Sequence, residues 1–229
     1  VTYSLSVAAV VPGLPPEPPP LTDGATDGND TLAGTSGNDS IVAGTGNDSV
    51  FGAQGNDTIR SGAGIDTISG GEGDDLLIGR AKDEFGLTYY IGGPGADRLD
   101  GGNSRINDWG DWSSSPSAIQ IDMPNGTCHG GDAEGDVLIG IENVIGSAFD
   151  DYIRAGDPWT DRAVLVGNAG ADTLDGGGVA TTVLYAFDPA GTSVNLKLGF
   201  ATDGYGDRDV LRERTDIGGR TVGGHVKGT

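Results

Sequence analysis

Cysteine is nearly absent: Cys128 is the single one in 229 residues, so no intrachain disulfide can hold the fold. Histidine is scarce too. His129 and His225 stand alone, and neither H-E-x-x-H nor G-x-S-x-G occurs, which leaves a metalloprotease or serine-hydrolase centre without its residues. Aromatic residues make up 6% of the chain, few for an ordinary globular core. Lys and Arg number 13 against 34 Asp and Glu, for a net charge of -21. Nucleic acid is thereby excluded as a partner, because phosphates are neutralised by basic side chains; cations are the natural partners. No apolar run reaches the length of a membrane span. The first residues carry neither an initiator Met nor a basic stretch and do not read as a signal peptide.

What is abundant is glycine, at 43 residues. Glycine-rich, highly charged chains commonly stay disordered, since they bury too little apolar surface to offset chain entropy. Here the spacing supplies the order. Residues 1–11 alternate as one half-buried strand, expected to end a preceding domain or to form an extended tail. Residues 12–27, with the run PGLPPEPPP, read as a proline-rich linker.

From Gly28 the chain locks into a period of nine. Glycines recur at Gly28, Gly37, Gly46, Gly55, Gly64 and Gly73, and aspartates follow two positions later at Asp30, Asp39, Asp48, Asp57, Asp66 and Asp75. Leu32, Ile41, Val50, Ile59, Ile68 and Leu77 complete the register. Residues 28–79 are therefore one regular unit. The pattern decays after Gly79 and returns around Asp97 and Leu99, Asp136 and Leu138, Asp151 and Ile153, and Asp172 and Leu174, so 80–214 are expected to be degenerate coils with insertions. A longer repeat of 73 residues overlies this one: Pro116 matches Pro189, and Asp136-Val137-Leu138 match Asp209-Val210-Leu211. The second copy stops short, and 215–229 are expected to be a frayed or truncated tail.

Apolar residues nine apart, each flanked by small ones, suit a very short strand with one side chain pointing inward, and glycines suit the turns between strands. Two repeats then complete a coil, and every second aspartate falls on the same edge. Asp30, Asp48 and Asp66 form one column; Asp39, Asp57 and Asp75 form the other. Carboxylates ~4.8 Å apart repel by about 3–4 kcal/mol at an effective dielectric of ~20. A hard divalent cation between turns reverses that sign. Calcium suits the position because it takes six or more oxygens in flexible geometry, backbone carbonyls included. Magnesium demands a tighter octahedron, and zinc prefers His or Cys, which the array lacks.

Residues 28–79 closely resemble RTX (repeats-in-toxin) nonapeptide repeats, and 92–102 and 136–177 resemble the degenerate RTX units that carry an I-E-N-V-x-G-S segment, here Ile141-Glu142-Asn143-Val144-Ile145-Gly146-Ser147. The resemblance implies an all-β fold, a right-handed parallel β-roll (β-solenoid) with an irregular C-terminal extension of further RTX-like coils and long loops. It implies several calcium ions, with Asp30, Asp39, Asp48, Asp57, Asp66, Asp75, Asp97, Asp136, Asp151 and Asp172 as ligands beside Gly28, Gly37, Gly46, Gly55, Gly64 and Gly73. A second, irregular roll over 92–177 is expected to bring Asp97, Asp151 and Asp172 to calcium. The resemblance also implies type I secretion of the parent protein, with folding on extracellular calcium, as part of an adhesin, a toxin or a secreted enzyme.

Other residues are weighed against this frame. Cys128-His129 is better read as exposed loop than as a thiol-imidazole dyad, since no orienting third group is apparent. Trp109, Trp112 and Trp159 are read as caps on a thin core, with a sugar-stacking surface as the alternative. Asp157-Pro158 and Asp188-Pro189 resemble self-cleaving bonds, without convincing flanks. An ice-binding face fails for want of a threonine column: the positions equivalent to Thr45 are Ser36, Gln54, Ala63 and Glu72. The expectation is a monomeric, non-catalytic, calcium-folded module of a secreted or cell-surface protein. The alternative is an ancillary, glycan-binding domain of a secreted enzyme.

Overall fold

The computed structural model describes residues 25–79, 86–102, 108–156, 162–185, 189–190, 193–195, 199–212 and 225–227. The expected strand at 1–11, the proline run, Trp159, Asp157, Pro158 and Asp188 lie outside them.

The regular unit holds β1 (Thr31–Ala33), β2 (Ser40–Thr45), β3 (Ser49–Gln54), β4 (Thr58–Glu72) and β5 (Leu76–Ile78). There follow β6 (Gly86–Ile91), β7 (Arg98–Asp100), β8 (Trp109–Asp111), β9 (Gln120–Asp122), β10 (Thr127–His129), β11 (Val137–Ile139) and β12 (Asn143–Ile145). The last are β13 (Tyr152–Arg154), β14 (Arg162–Val166), β15 (Thr173–Asp175), β16 (Ala180–Leu184), β17 (Ser193–Asn195), β18 (Phe200–Thr202), β19 (Arg208–Arg212) and β20 (His225–Lys227). Among the described residues helix is confined to single 3-10 turns at Met123–Asn125 and Gly131–Ala133.

The chain winds as a parallel β-solenoid. In the regular unit the strands bury the apolar residue of each repeat, and Leu32, Ile41, Val50, Ile59, Ile68, Leu77, Tyr90 and Leu99 belong to one core cluster, a single layer between two faces. The expected coil of two repeats is present: Ile41 pairs with Ile59 and Val50 with Ile68, both 18 residues on. Strand β4 is long because it rounds the edge, pairing with β2 and β5 on one face and with β3 and β6 on the other.

The two faces differ. One is a continuous parallel ladder in the order β1-β3-β4-β6-β8-β12-β14-β16-β20. The other falls into two stacks, β2-β4-β5-β7-β11 and β9-β13-β15-β19. The 73-residue repeat appears here as an inserted antiparallel hairpin. In β9–β10, Ile121 faces Cys128; in β17–β18, Val194 faces Ala201, each residue 73 further on in the same register.

Residues 92–177 do not form a second roll of their own. Strand β7 continues the first stack by pairing with β5 and β11, whereas β13 and β15 pair in the second. The cause is the register: Leu77 meets Leu99 in spite of the longer loop between them, so the coil persists through the degenerate sequence. Part of the expected tail also joins the ladder, with Val226 of β20 opposite Val183 of β16.

Candidate metal centre

The turns set the edges of the coil. Gly64 has φ +150°, and the carbonyl oxygen of Gly46 occupies the place a Cβ on Gly64 would need. Any other residue there would strain the backbone and push the coils apart. The same contact runs from Gly28 to Gly46, from Gly37 to Gly55 and from Gly55 to Gly73. The glycines thus stack in the two expected columns, and the aspartates two positions later stack with them.

Within each column the carboxylates are wired coil to coil. The Asp30 N–H donates to Asp48 Oδ1 at 2.9 Å, and the Asp48 N–H to Asp66 Oδ1 at 3.0 Å. On the other edge Asp39 N–H donates to Asp57 Oδ1 at 2.8 Å and Asp57 N–H to Asp75 Oδ1 at 2.7 Å. This second column does not stop at Asp75. Asp75 N–H donates to Asp97 Oδ1 at 2.8 Å and Asp97 N–H to Asp136 Oδ1 at 2.9 Å. Asp151 and Asp172 belong to a third column, with Asp151 N–H on Asp172 Oδ1 at 2.8 Å and Asp172 N–H on Asp209 Oδ1 at 3.0 Å. Asp97 and Asp172 were expected to meet at one site. They lie in different stacks: Asp97 is linked to Asp75 and Asp136, and Asp172 to Asp151 and Asp209.

Both carboxylate oxygens matter, and the second is the informative one. In Asp48, Asp57, Asp75, Asp97 and Asp172 the Oδ2 is buried and has no hydrogen-bond partner. Isolated buried carboxylate oxygens are costly. Each of four of them, in Asp57, Asp75, Asp97 and Asp172, lies where a Cβ on Gly52, Gly70, Gly92 or Gly167 would be, five residues earlier in its own turn. An unsatisfied anionic oxygen held against a glycine turn fits a cation. Among the described residues no three His, Cys, Asp or Glu side chains converge as a cage; an ion there would need backbone carbonyls to complete its shell, which calcium accepts and zinc does not favour.

The electrostatics agree. Burial raises the Asp57 carboxyl, with the charge of Asp39 adding to it. Burial first, then Asp57 and Asp74, pushes Asp75 up to about 6. Burial followed by Asp136, Asp75 and Asp74 pushes Asp97 up to about 8. Like charges stacked in a desolvated column disfavour ionisation, and a divalent ion relieves both causes.

The ends of the columns are built differently. Asp30, Asp39 and Asp151 open the three columns, and in each a Ser or Thr four residues earlier holds the carboxylate. Thr26 N–H donates to Asp30 Oδ2 at 2.6 Å, Thr35 N–H to Asp39 Oδ2 at 2.5 Å and Ser147 N–H to Asp151 Oδ2 at 2.6 Å. Two columns close on a ring. Trp112 Nε1 donates to Asp136 Oδ2 at 3.1 Å, and Tyr185 Oη donates to Asp209 Oδ2 at 2.8 Å. The interior carboxylates alone combine a coil-to-coil bond with an unpartnered Oδ2. Asp136 and Asp151, expected as ligands on equal terms, therefore differ from the interior positions. Asp66 ends its carboxylate run because Thr88 replaces aspartate on the next coil. Beyond it, Thr88 N–H bonds Asp108 Oδ1 and Asp108 N–H bonds Glu142 Oε2, both at 2.8 Å.

Trp112 is 1% exposed and sits mid-solenoid, closing a carboxylate column instead of the end of the core. Trp109 stacks on Tyr89 with ring centroids 6.0 Å apart and an interplanar angle of 20°. Cys128 is buried, against expectation, because β10 turns alternate side chains inward and outward. Burial, with Asp136 and Asp122 behind it, pushes its thiol up to about 12. His129 points the other way, 3.6 Å from Glu134, so the two do not form a dyad.

A family model for the RTX calcium-binding nonapeptide repeat (4 copies) matches residues 24–59, 51–81, 89–105, 136–157 and 163–180, just over half of the chain. Comparison with curated proteins gives no match. The parallel solenoid, the nine-residue columns and this match agree: the chain belongs to the RTX calcium-binding nonapeptide repeat family.

Proposed function

We propose that this is a non-catalytic module of a secreted or cell-surface protein, exported through a type I apparatus and folded by calcium outside the cell. The observation that carries the reading is the set of buried, unpartnered Oδ2 atoms on Asp48 in one column and on Asp57, Asp75 and Asp97 in the other. Their ions take a carboxylate from each of two coils, with turn carbonyls completing the shell, and binding energy becomes folding energy. Secretion is supported by the family and by the near absence of cysteine, and no helix among the described residues is long and apolar enough to cross a membrane. The buried, high-pKa Cys128 thiol and the outward His129 supply no nucleophile and base. The test is a calcium titration followed by circular dichroism. A cooperative gain of β signal with calcium and none with magnesium is expected; full β signal in chelator would overturn the reading.

A second reading has one observation behind it. Tyr89 and Trp109, partly exposed on adjacent strands of the continuous ladder, form a stacked pair of the kind that takes a sugar ring. An ancillary glycan-binding role in a secreted enzyme would follow. Glycan-array binding abolished by Trp109→Ala would favour it.

A further inference from the structure

The third carboxylate column ends in an unusual way. Asp172 would ordinarily share an ion with the aspartate one coil on, Asp209. Asp209 is already committed: its Oδ1 accepts from Asp172 N–H and its Oδ2 from the Tyr185 hydroxyl. Yet Asp172 Oδ2 remains buried and without a partner. A further carboxylate stands nearby. Asp203 precedes β19 in the loop Asp203-Gly204-Tyr205-Gly206-Asp207-Arg208, outside every matched repeat.

Asp203 is 3% exposed. Its Oδ1 is fixed by three backbone donors, Tyr205 N–H at 3.0 Å and Gly206 and Asp207 N–H both at 2.8 Å. Its Oδ2, like that of Asp172, is buried with no partner. The loop is pinned to the Asp172 turn by Gly170 N–H on Asp207 Oδ2 at 3.3 Å. The two carboxylates also feel one another: burial foremost, then the charges of Asp209, Asp151 and Asp203, push Asp172 up to about 8. Two carboxylate oxygens held by rigid backbone, both stripped of water and both unpaired, are stabilised by a cation between them.

We propose that Asp172 and Asp203 form a calcium site outside the nonapeptide pattern, with Asp203 supplying the carboxylate that Asp209 gives to Tyr185. Carbonyls of the Asp172 turn and of the 203–207 loop complete the oxygen shell. The first copy of the 73-residue repeat has no such site. Gly130 stands at the position of Asp203, and its N–H instead donates to Glu134 Oε2 at 2.8 Å. The new site rests on the calcium reading above, and the test separates the two.

Crystals of the wild-type chain grown in calcium are measured for anomalous scattering. A peak about 2.3–2.6 Å from both Asp172 and Asp203 oxygens is the expected result. Peaks beside Asp48, Asp57 and Asp75 with none at Asp203 would overturn this site and leave the general reading intact; no peaks anywhere would overturn both. Asp203→Asn gives a second measure. It keeps an Oδ1 acceptor for the three N–H donors and removes the charge, so calcium bound per chain in equilibrium dialysis should fall by one ion. Unchanged stoichiometry in the folded variant would overturn the proposal.

Discussion

The indole Nε1 of Trp112 lies 3.1 Å from Asp136 Oδ2, filling with a neutral donor the position that interior carboxylates of the same column leave for an ion. Trp112→Phe keeps the ring and removes the donor. A buried acceptor left unmade costs about 1–3 kcal/mol, so the melting temperature in saturating calcium should fall while the calcium midpoint of the regular roll stays put. Differential scanning calorimetry checks the first and circular dichroism the second. Tyr185→Phe should repeat the pattern at Asp209.

Position in a column should set the weight of each aspartate. Asp57 accepts from the coil before and donates to the coil after, and so does Asp75, which the nine-residue array alone would place at an end. Asp30 opens its column and is held by its own Thr26. The calcium midpoint of folding should therefore rise several-fold more for Asp57→Asn and Asp75→Asn than for Asp30→Asn. Equal shifts would mean that the ions do not bridge coils.

Gly52 offers a test without loss of charge. A methyl group there would meet Asp57 Oδ2 and the Gly70 carbonyl oxygen, and the backbone at Gly52 is not left-handed, so the Gly52→Ala effect is steric. Displacing one ligand oxygen should raise the calcium midpoint about tenfold or more, equivalent to ~1.4 kcal/mol or more. A variant that titrates like wild type would argue that Asp57 Oδ2 holds no ion.

Acid should partly replace calcium. Burial above all, then neighbouring charge, pushes Asp97 and Asp172 up to about 8, and burial pushes Asp75 and Asp136 up to about 6. The calcium-free roll therefore binds protons that the unfolded chain, with carboxyls near 3.8, has released. Stability from these groups is full below about pH 4 and is lost as pH rises to about 8. In chelator, β signal should increase on acidification from about pH 8.5 to about pH 5; a decrease over that window would contradict the assignment.

The regular coils were legible because three properties repeat at one spacing: glycine where coils touch, aspartate at the edge, and a branched or aliphatic residue in the core. The pairing of Ile41 with Ile59 follows from that alone. The 73-residue repeat was legible through Pro116, Pro189 and the Asp-Val-Leu triplets, and the hairpins match it residue for residue. What escaped is what depends on partners far apart. Trp112 and Tyr185 are 73 residues apart and share only a ring-borne donor, so no pattern of identities links them. Asp108 and Glu142 continue the first edge, beyond Asp66 and Thr88, without the Gly-x-Asp that marks the array. Cys128 looked like exposed loop because Asn and Gly surround it, yet strand alternation in β10 turns it inward.

The continuous ladder has a consequence for length. Among the described residues it counts nine strands from Thr31 to Lys227, and at ~4.8 Å per step they stack into a rod of about 38 Å. Stretched out, the same segment would reach roughly 650 Å. Winding it up one coil at a time withdraws several hundred ångströms of contour while the two ends close to within the thickness of a bilayer. A chain threaded through a narrow opening, with calcium on one side only, would be reeled toward that side, each bound ion opposing backward slip.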